Sequence, residues 1–139
     1  MGYYITVHHS KLKLSKSKQK KVMQALIDQQ PKPDDTKYNA ERGGWHNDGL
    51  IRPGDYRDLG AMLEDLGFGA KYNEKSTLVA VEVYDTKLYD HEEVAIVILS
   101  ECTKSCYIEF KGEDGDNWLI TKDGRVYMRY PGKWGRIVG

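Results

Sequence analysis

The stretch from Cys106 to Tyr130, CYIEFKGEDGDNWLITKDGRVYMRY, constrains the fold more than any other part of the chain. Its period is two. Ile108 and Phe110 alternate with Tyr107, Glu109 and Lys111. Trp118 and Ile120 mark one face of the next run, and Val126, Met128 and Tyr130 one face of the last. Such alternation places apolar groups on one side of a pleated strand. Gly112-Glu113-Asp114-Gly115 is a turn cluster, and Asp123-Gly124 tolerates the positive φ angles of a type I′ turn. The stretch therefore predicts a three-stranded antiparallel meander.

Elsewhere the periodicity changes. Tyr3 to His9 reads as a strand, with Tyr3, Ile5 and Val7 on one face and Tyr4, Thr6 and His8 on the other. Leu12 and Leu14, between lysines, fit a strand extension or a loop. Ser15 has the character of an N-cap for a helix over 16–30, where Val22, Met23, Leu26 and Ile27 recur at helical spacing before Pro31 and Pro33 end it. A second helix is expected from an Asp55 N-cap, with Tyr56, Leu59, Leu63 and Leu66 as its buried stripe and Leu66-Gly67-Phe68 as a Schellman stop. Residues 70–72 and 77–84 form a hairpin through Asn73-Glu74-Lys75. The run from Asp90 to Glu101 is β-branched enough for a buried strand, but its acidic first turn, Asp90-His91-Glu92-Glu93, favours a helix. After Pro131 the tail can add a short edge strand.

The expected fold class is α+β, a mostly antiparallel sheet with about three helices packed on one face. The 139 residues suit a single domain over 1–139. One segment resists this scheme. Residues 31–54 show no period and contain Gly43-Gly44-Trp45-His46-Asn47-Asp48-Gly49. Irregular segments of that length are uncommon inside a compact domain and are usually functional or disordered. A tryptophan among glycines and polar side chains has little reason to be there for folding alone, so Trp45, His46, Asn47, Asp48 and Arg52 are candidate binding residues.

Charge is balanced, 21 basic against 21 acidic residues, which argues for neither nucleic acid nor membrane as a global partner. Its distribution is uneven. Residues 1–30 hold six lysines against Asp28, whereas residues 85–116 hold nine acids against three lysines. Each run also fits an ordinary solvated face. Clustered carboxylates can dock in a basic groove, which makes Glu113, Asp114 and Asp116 a second candidate contact patch. Ten tyrosines and three tryptophans against two phenylalanines suit half-buried sheets and contact surfaces.

Signatures of chemistry are sparse. His8, His9, His46 and His91 show no metal-ligand spacing, and Cys102 and Cys106 make no disulfide framework. There is no nucleophile elbow and no P-loop. A metal-free nuclease would need a histidine, a carboxylate and a cation gathered in a cleft, for which His46, Asp48 and Arg52 are the near neighbours in sequence. No catalytic residue, metal ligand or cofactor is assigned. The longest apolar run, Val94 to Leu99, is too short to span a bilayer.

Tyr107-Ile108-Glu109-Phe110, Gly112-Glu113-Asp114-Gly115, Trp118 and Gly124-Arg125-Val126-Tyr127, with the opening Met1-Gly2-Tyr3-Tyr4, resemble small uncharacterised proteins of Gram-positive bacteria and their phages. The resemblance covers about a quarter of the chain and rests on turn and core residues. It implies a protein of phage or mobile-element type in the host-cell cytoplasm. The expected function is that of a non-enzymatic binding protein, an inhibitor of a bacterial defence system in the style of anti-CRISPR proteins, with a host defence protein or nucleoprotein as partner. The alternatives are a nucleotide-binding sponge, with Trp45 stacking and Arg52 or the lysine run taking phosphates, and a small hydrolase or nuclease using His46.

Overall fold

Ile5 and Val7, Val81 and Val83, Ile108 and Phe110, and Trp118 and Ile120 are buried at alternate positions of their strands, and the strands assemble into one antiparallel sheet. The computed structural model describes residues 2–32, 43–45, 49–130 and 133–138. The elements run β1 (Tyr4–Lys11), α1 (Lys16–Gln29), α2 (Leu59–Asp65), β2 (Gly69–Tyr72), β3 (Leu78–Lys87), α3 (His91–Ser100), β4 (Tyr107–Gly112), β5 (Asn117–Thr121), β6 (Val126–Tyr130) and β7 (Lys133–Val138). The seven strands lie in the order β2-β3-β1-β4-β5-β6-β7. The expected α+β class is present, and the C-terminal meander continues through β7 to the sheet edge.

Ile5, Val7, Val81, Val83, Ile108, Phe110, Trp118 and Ile120 form the buried face. Against it pack Val22 and Leu26 of α1, Leu59, Met62 and Leu63 of α2, and Val94, Val97, Ile98 and Leu99 of α3. Full burial of each such side chain contributes about 1.5–3 kcal/mol, which outweighs the lower helix propensity of the β-branched residues in α3. Five of its buried side chains are apolar, and intrinsic propensity is too small to oppose them.

The local signals are resolved in detail. Ser15 caps α1, its hydroxyl accepting from the Lys18 N–H. Asp58, rather than Asp55, caps α2, its carboxylate accepting from the Ala61 N–H at 2.8 Å. Asp55 instead accepts from the Arg52 N–H at 2.8 Å and closes a turn one step earlier. Both aspartates satisfy the capping pattern in sequence, but only Asp58 lies next to the apolar stripe that packs. Gly67 has φ +92°, and the Phe68 N–H returns to the Leu63 carbonyl at 2.8 Å, which is the expected helix stop. In the β2–β3 connection the Asn73 side chain accepts from the N–H groups of Lys75 and Thr77.

Two buried glutamines tie irregular backbone to this frame. Gln19 donates to the carbonyls of Leu14 and Ser76, both at 2.9 Å. Gln30 donates to the Ile51 carbonyl at 2.7 Å and accepts from the Ile51 N–H at 2.7 Å, so one amide side chain meets both polar groups of one residue.

Candidate functional site

The segment that sequence reasoning singled out serves the core where it is described. Trp45 is only 4% exposed, and its Nε1–H donates to the Leu26 carbonyl at 3.1 Å. Leu26 lies in the last turn of α1, where four carbonyls have no partner within the helix. The Gln30 side chain takes a second of them, donating to Ile27 at 3.0 Å. Gly44 (φ +81°) donates to the Pro31 carbonyl at 2.6 Å, and a Cβ there would lie 1.8 Å from the Gly49 oxygen. The expectation that Trp45 offers its ring to a partner is therefore corrected: the indole caps and covers the end of α1. His46, Asn47 and Asp48 lie outside the described residues. Arg52 is exposed on the turn before α2, held through its backbone by Asp55.

The acidic turn is also partly structural. Asp114 accepts from the Tyr3 hydroxyl and from the Asp116 N–H. Glu113 accepts from the Tyr4 N–H at 3.1 Å and returns its own N–H to the Tyr4 carbonyl at 2.9 Å. Desolvation and the Asp114 carboxylate push the Tyr3 phenol up to about 12, and the Tyr3 hydrogen bond holds Asp114 below the usual carboxylate range. Glu113 and Asp114 thus fasten the β4–β5 turn to the start of β1, and their carboxylates are exposed but engaged. Asp116 is exposed beside them. No hydrogen bond or ion pair among the described residues joins this turn to Arg52.

The sheet itself brings together a set that sequence reasoning missed. Opposite the helices lie the positions of β1, β4 and β5 that alternate with the buried ones, together with the exposed Arg129 of β6. Between them lies a small cavity of about 230 Å³, lined by His8, His9, Glu109, Lys111, Asn117 and Arg129. Strand pairing sets the arrangement: His9 lies opposite Glu109, Lys111 opposite Asn117, and Arg129 opposite Trp134. A register shift between Thr6 and His9 interrupts the alternation of β1, so that His8 and His9 are both exposed. Among the described residues, Glu109, Lys111 and Arg129 make no ion pair, in contrast to Lys71–Glu82 at 3.0 Å farther along the same face.

Aromatic rings flank the cluster. Tyr84 is 64% exposed, and its ring meets His8 edge-on at 6.0 Å between centroids. On the other side the Arg129 guanidinium lies 5.6 Å from the Trp134 ring centroid. The exposed face therefore presents cations, imidazoles, the Glu109 carboxylate and one amide between two aromatic groups, with the Glu82 carboxylate accepting from the Tyr84 hydroxyl at 2.7 Å. The pairing of β1 with β4 creates this cluster from residues about a hundred positions apart, and no local motif announces it. The period-two pattern did place His8, Glu109 and Lys111 on the non-core side of their strands.

A second concavity lies between α1 and α2. It has a volume of about 460 Å³ and is lined by Lys16, Lys20, Met23, Arg57, Leu59 and Tyr72 among others. Cys102 and Cys106 are buried free thiols, and burial pushes the Cys102 thiol up to about 12, far from a reactive thiolate. No group of three or more histidines, cysteines or carboxylates among the described residues is placed to hold a metal ion, and no described helix is long and apolar enough to cross a membrane. No protein-family model, characterised protein or solved structure matches the chain.

Proposed function

We propose that the chain is a non-enzymatic binding protein that acts through the uncovered face of its sheet, by docking on a host protein or nucleoprotein. The observation that carries this reading is the polar cluster in which exposed His8, His9, Lys111 and Arg129 meet half-buried Glu109 and Asn117 between aromatic side chains, with no ion pair of its own among the described residues. Aromatic residues and arginine are the side chains that dominate binding energy at interfaces, and unpaired charges steer association. The resemblance to proteins of Gram-positive bacteria and their phages supplies the setting: an inhibitor of a bacterial defence system in the host cytoplasm. Affinity capture from cells carrying such a system tests it. The tagged protein should retain a stoichiometric partner, and a Lys111→Glu/Arg129→Glu variant should lose it. Equal retention by the reversed variant overturns the use of this face.

The α1–α2 groove favours a second reading, a binder of small anionic ligands such as nucleotides. Its volume falls in the usual range for such sites, and its lining combines Met23, Leu59 and Tyr72 with Lys16, Lys20 and an Arg57 that pairs with Asp58 at 3.4 Å. A nucleotide present at about 100 times its Kd should stabilise the fold by about 2.7 kcal/mol. A thermal-shift panel in which no nucleotide raises Tm removes this reading.

A further inference from the structure

The geometry points to a single-stranded nucleic acid as what the uncovered sheet face binds, with Lys111 and Arg129 taking backbone phosphates and Tyr84 stacking on a base. This rests on the proposal that the open face is the contact surface and names the class of molecule it meets. Three observations converge. The first is size. The cavity of about 230 Å³ is smaller than a typical pocket for a whole small ligand, a size that suits one subsite along a longer ligand.

The second is charge. Lys111 and Arg129 face Glu109 alone within the cluster, and no described ion pair neutralises either cation. His8, His9 and Asn117 add hydrogen-bonding groups that can read base edges. The third is the placement of the rings. Tyr84 on β3 and Trp134 on β7 are separated by five strand-to-strand steps, about 24 Å across the sheet. A single nucleotide cannot bridge that span, whereas an extended strand can touch a ring, cations and a ring in succession. Stacking platforms combined with a cationic track are the general solution for single strands, and an open antiparallel sheet is a common support for one. An acidic peptide would use the cations but would leave the stacking surface of Tyr84 unused.

Fluorescence anisotropy with a labelled single strand of about 12 nucleotides, as RNA and as DNA, tests the inference on the intact chain. Two phosphate contacts give a salt slope of about −1.4, so raising salt from about 50 to about 200 mM should weaken binding about sevenfold. The Lys111→Ala/Arg129→Ala variant should lose most of that slope, and Tyr84→Ala should weaken binding about tenfold. These side chains are exposed, so the variants should keep the wild-type melting temperature; circular dichroism checks this. Binding of either strand with these dependences supports the inference. No anisotropy change up to about 100 µM protein, wild-type binding by the double variant, or equally effective displacement by polyglutamate of matched charge overturns it. Capture of a protein partner that still depends on Lys111 and Arg129, with no oligonucleotide binding, would overturn this inference alone. Loss of both dependences would overturn the open-face reading as well.

Discussion

Replacing Trp45 by alanine separates a folding role for this residue from a contact role. The side chain is almost wholly buried in the main core, so its removal creates a cavity, and Trp-to-Ala changes of this kind cost about 3–5 kcal/mol. Part of that cost is the Leu26 carbonyl, which loses its donor at the end of α1 while remaining covered. With a urea m-value of about 1.5 kcal/mol per M, the unfolding midpoint should fall by about 2–3 M. Trp45→Phe keeps most of the ring but not the N–H, and should cost about 1–3 kcal/mol. Far-UV circular dichroism follows the transition. A Trp45→Ala protein whose midpoint moves by less than about 0.5 M would refute the reasoning, because no well-packed tryptophan can be deleted so cheaply.

Further outcomes follow from other parts of the frame. Gly112→Ala should lower Tm clearly, since a Cβ there would lie 1.7 Å from a Tyr3 hydroxyl that is held by Asp114, and a double variant with Tyr3→Ala should recover part of the loss. Gln30→Ala leaves the buried N–H of Ile51 without its acceptor and should cost about 1–3 kcal/mol in urea unfolding. Glu92 accepts from the Trp118 indole at 3.1 Å, and burial raises its carboxyl above the usual range. Its contribution to stability is therefore fully present below the unfolded-state value and is lost as pH rises through the raised folded value. Glu92→Gln keeps an acceptor for Trp118 without the charge. It should melt at or above the wild-type temperature at neutral pH, and the advantage should vanish in acid. A lower neutral-pH Tm would contradict this. Asp114 has the opposite sign: its hydrogen bonds from Tyr3 and the backbone favour the carboxylate, so its contribution is present at neutral pH and is lost as pH falls through its lowered value. Tyr3→Phe should therefore flatten the acid limb of the stability profile.

Most of the scaffold was legible because it is written in local period. The meander, the β2–β3 hairpin, the Ser15 cap and the Gly67 stop each depend on residues a few positions apart. The exception in α2 is instructive: Asp55 and Asp58 have the same chemistry, and packing of Leu59, Met62 and Leu63 decides between them. The candidate site was less legible for two physical reasons. Trp45 looked exposed because its neighbours are glycines and polar residues, yet its partners are Leu26 and the core, far away in sequence. The polar cluster on the open face depends on β1 pairing with β4 and on a register shift beside His8 and His9, and neither is encoded in a run of adjacent residues. Glu113 and Asp114 carry the charge expected of a contact patch, but their hydrogen bonds to Tyr3 and Tyr4 give them a structural role.

Footprinting of the bound protein by hydroxyl-radical labelling tests the central claim most directly, because it reports which face a captured partner covers. Protection should fall on His8, Tyr84, Tyr127 and Trp134, with little change at Tyr72 and Tyr89 outside the cluster. Protection confined to Tyr72, Met23 and the helical side, with His8, Tyr84 and Trp134 labelled as in the free protein, would contradict the assignment of the open sheet face as the binding surface.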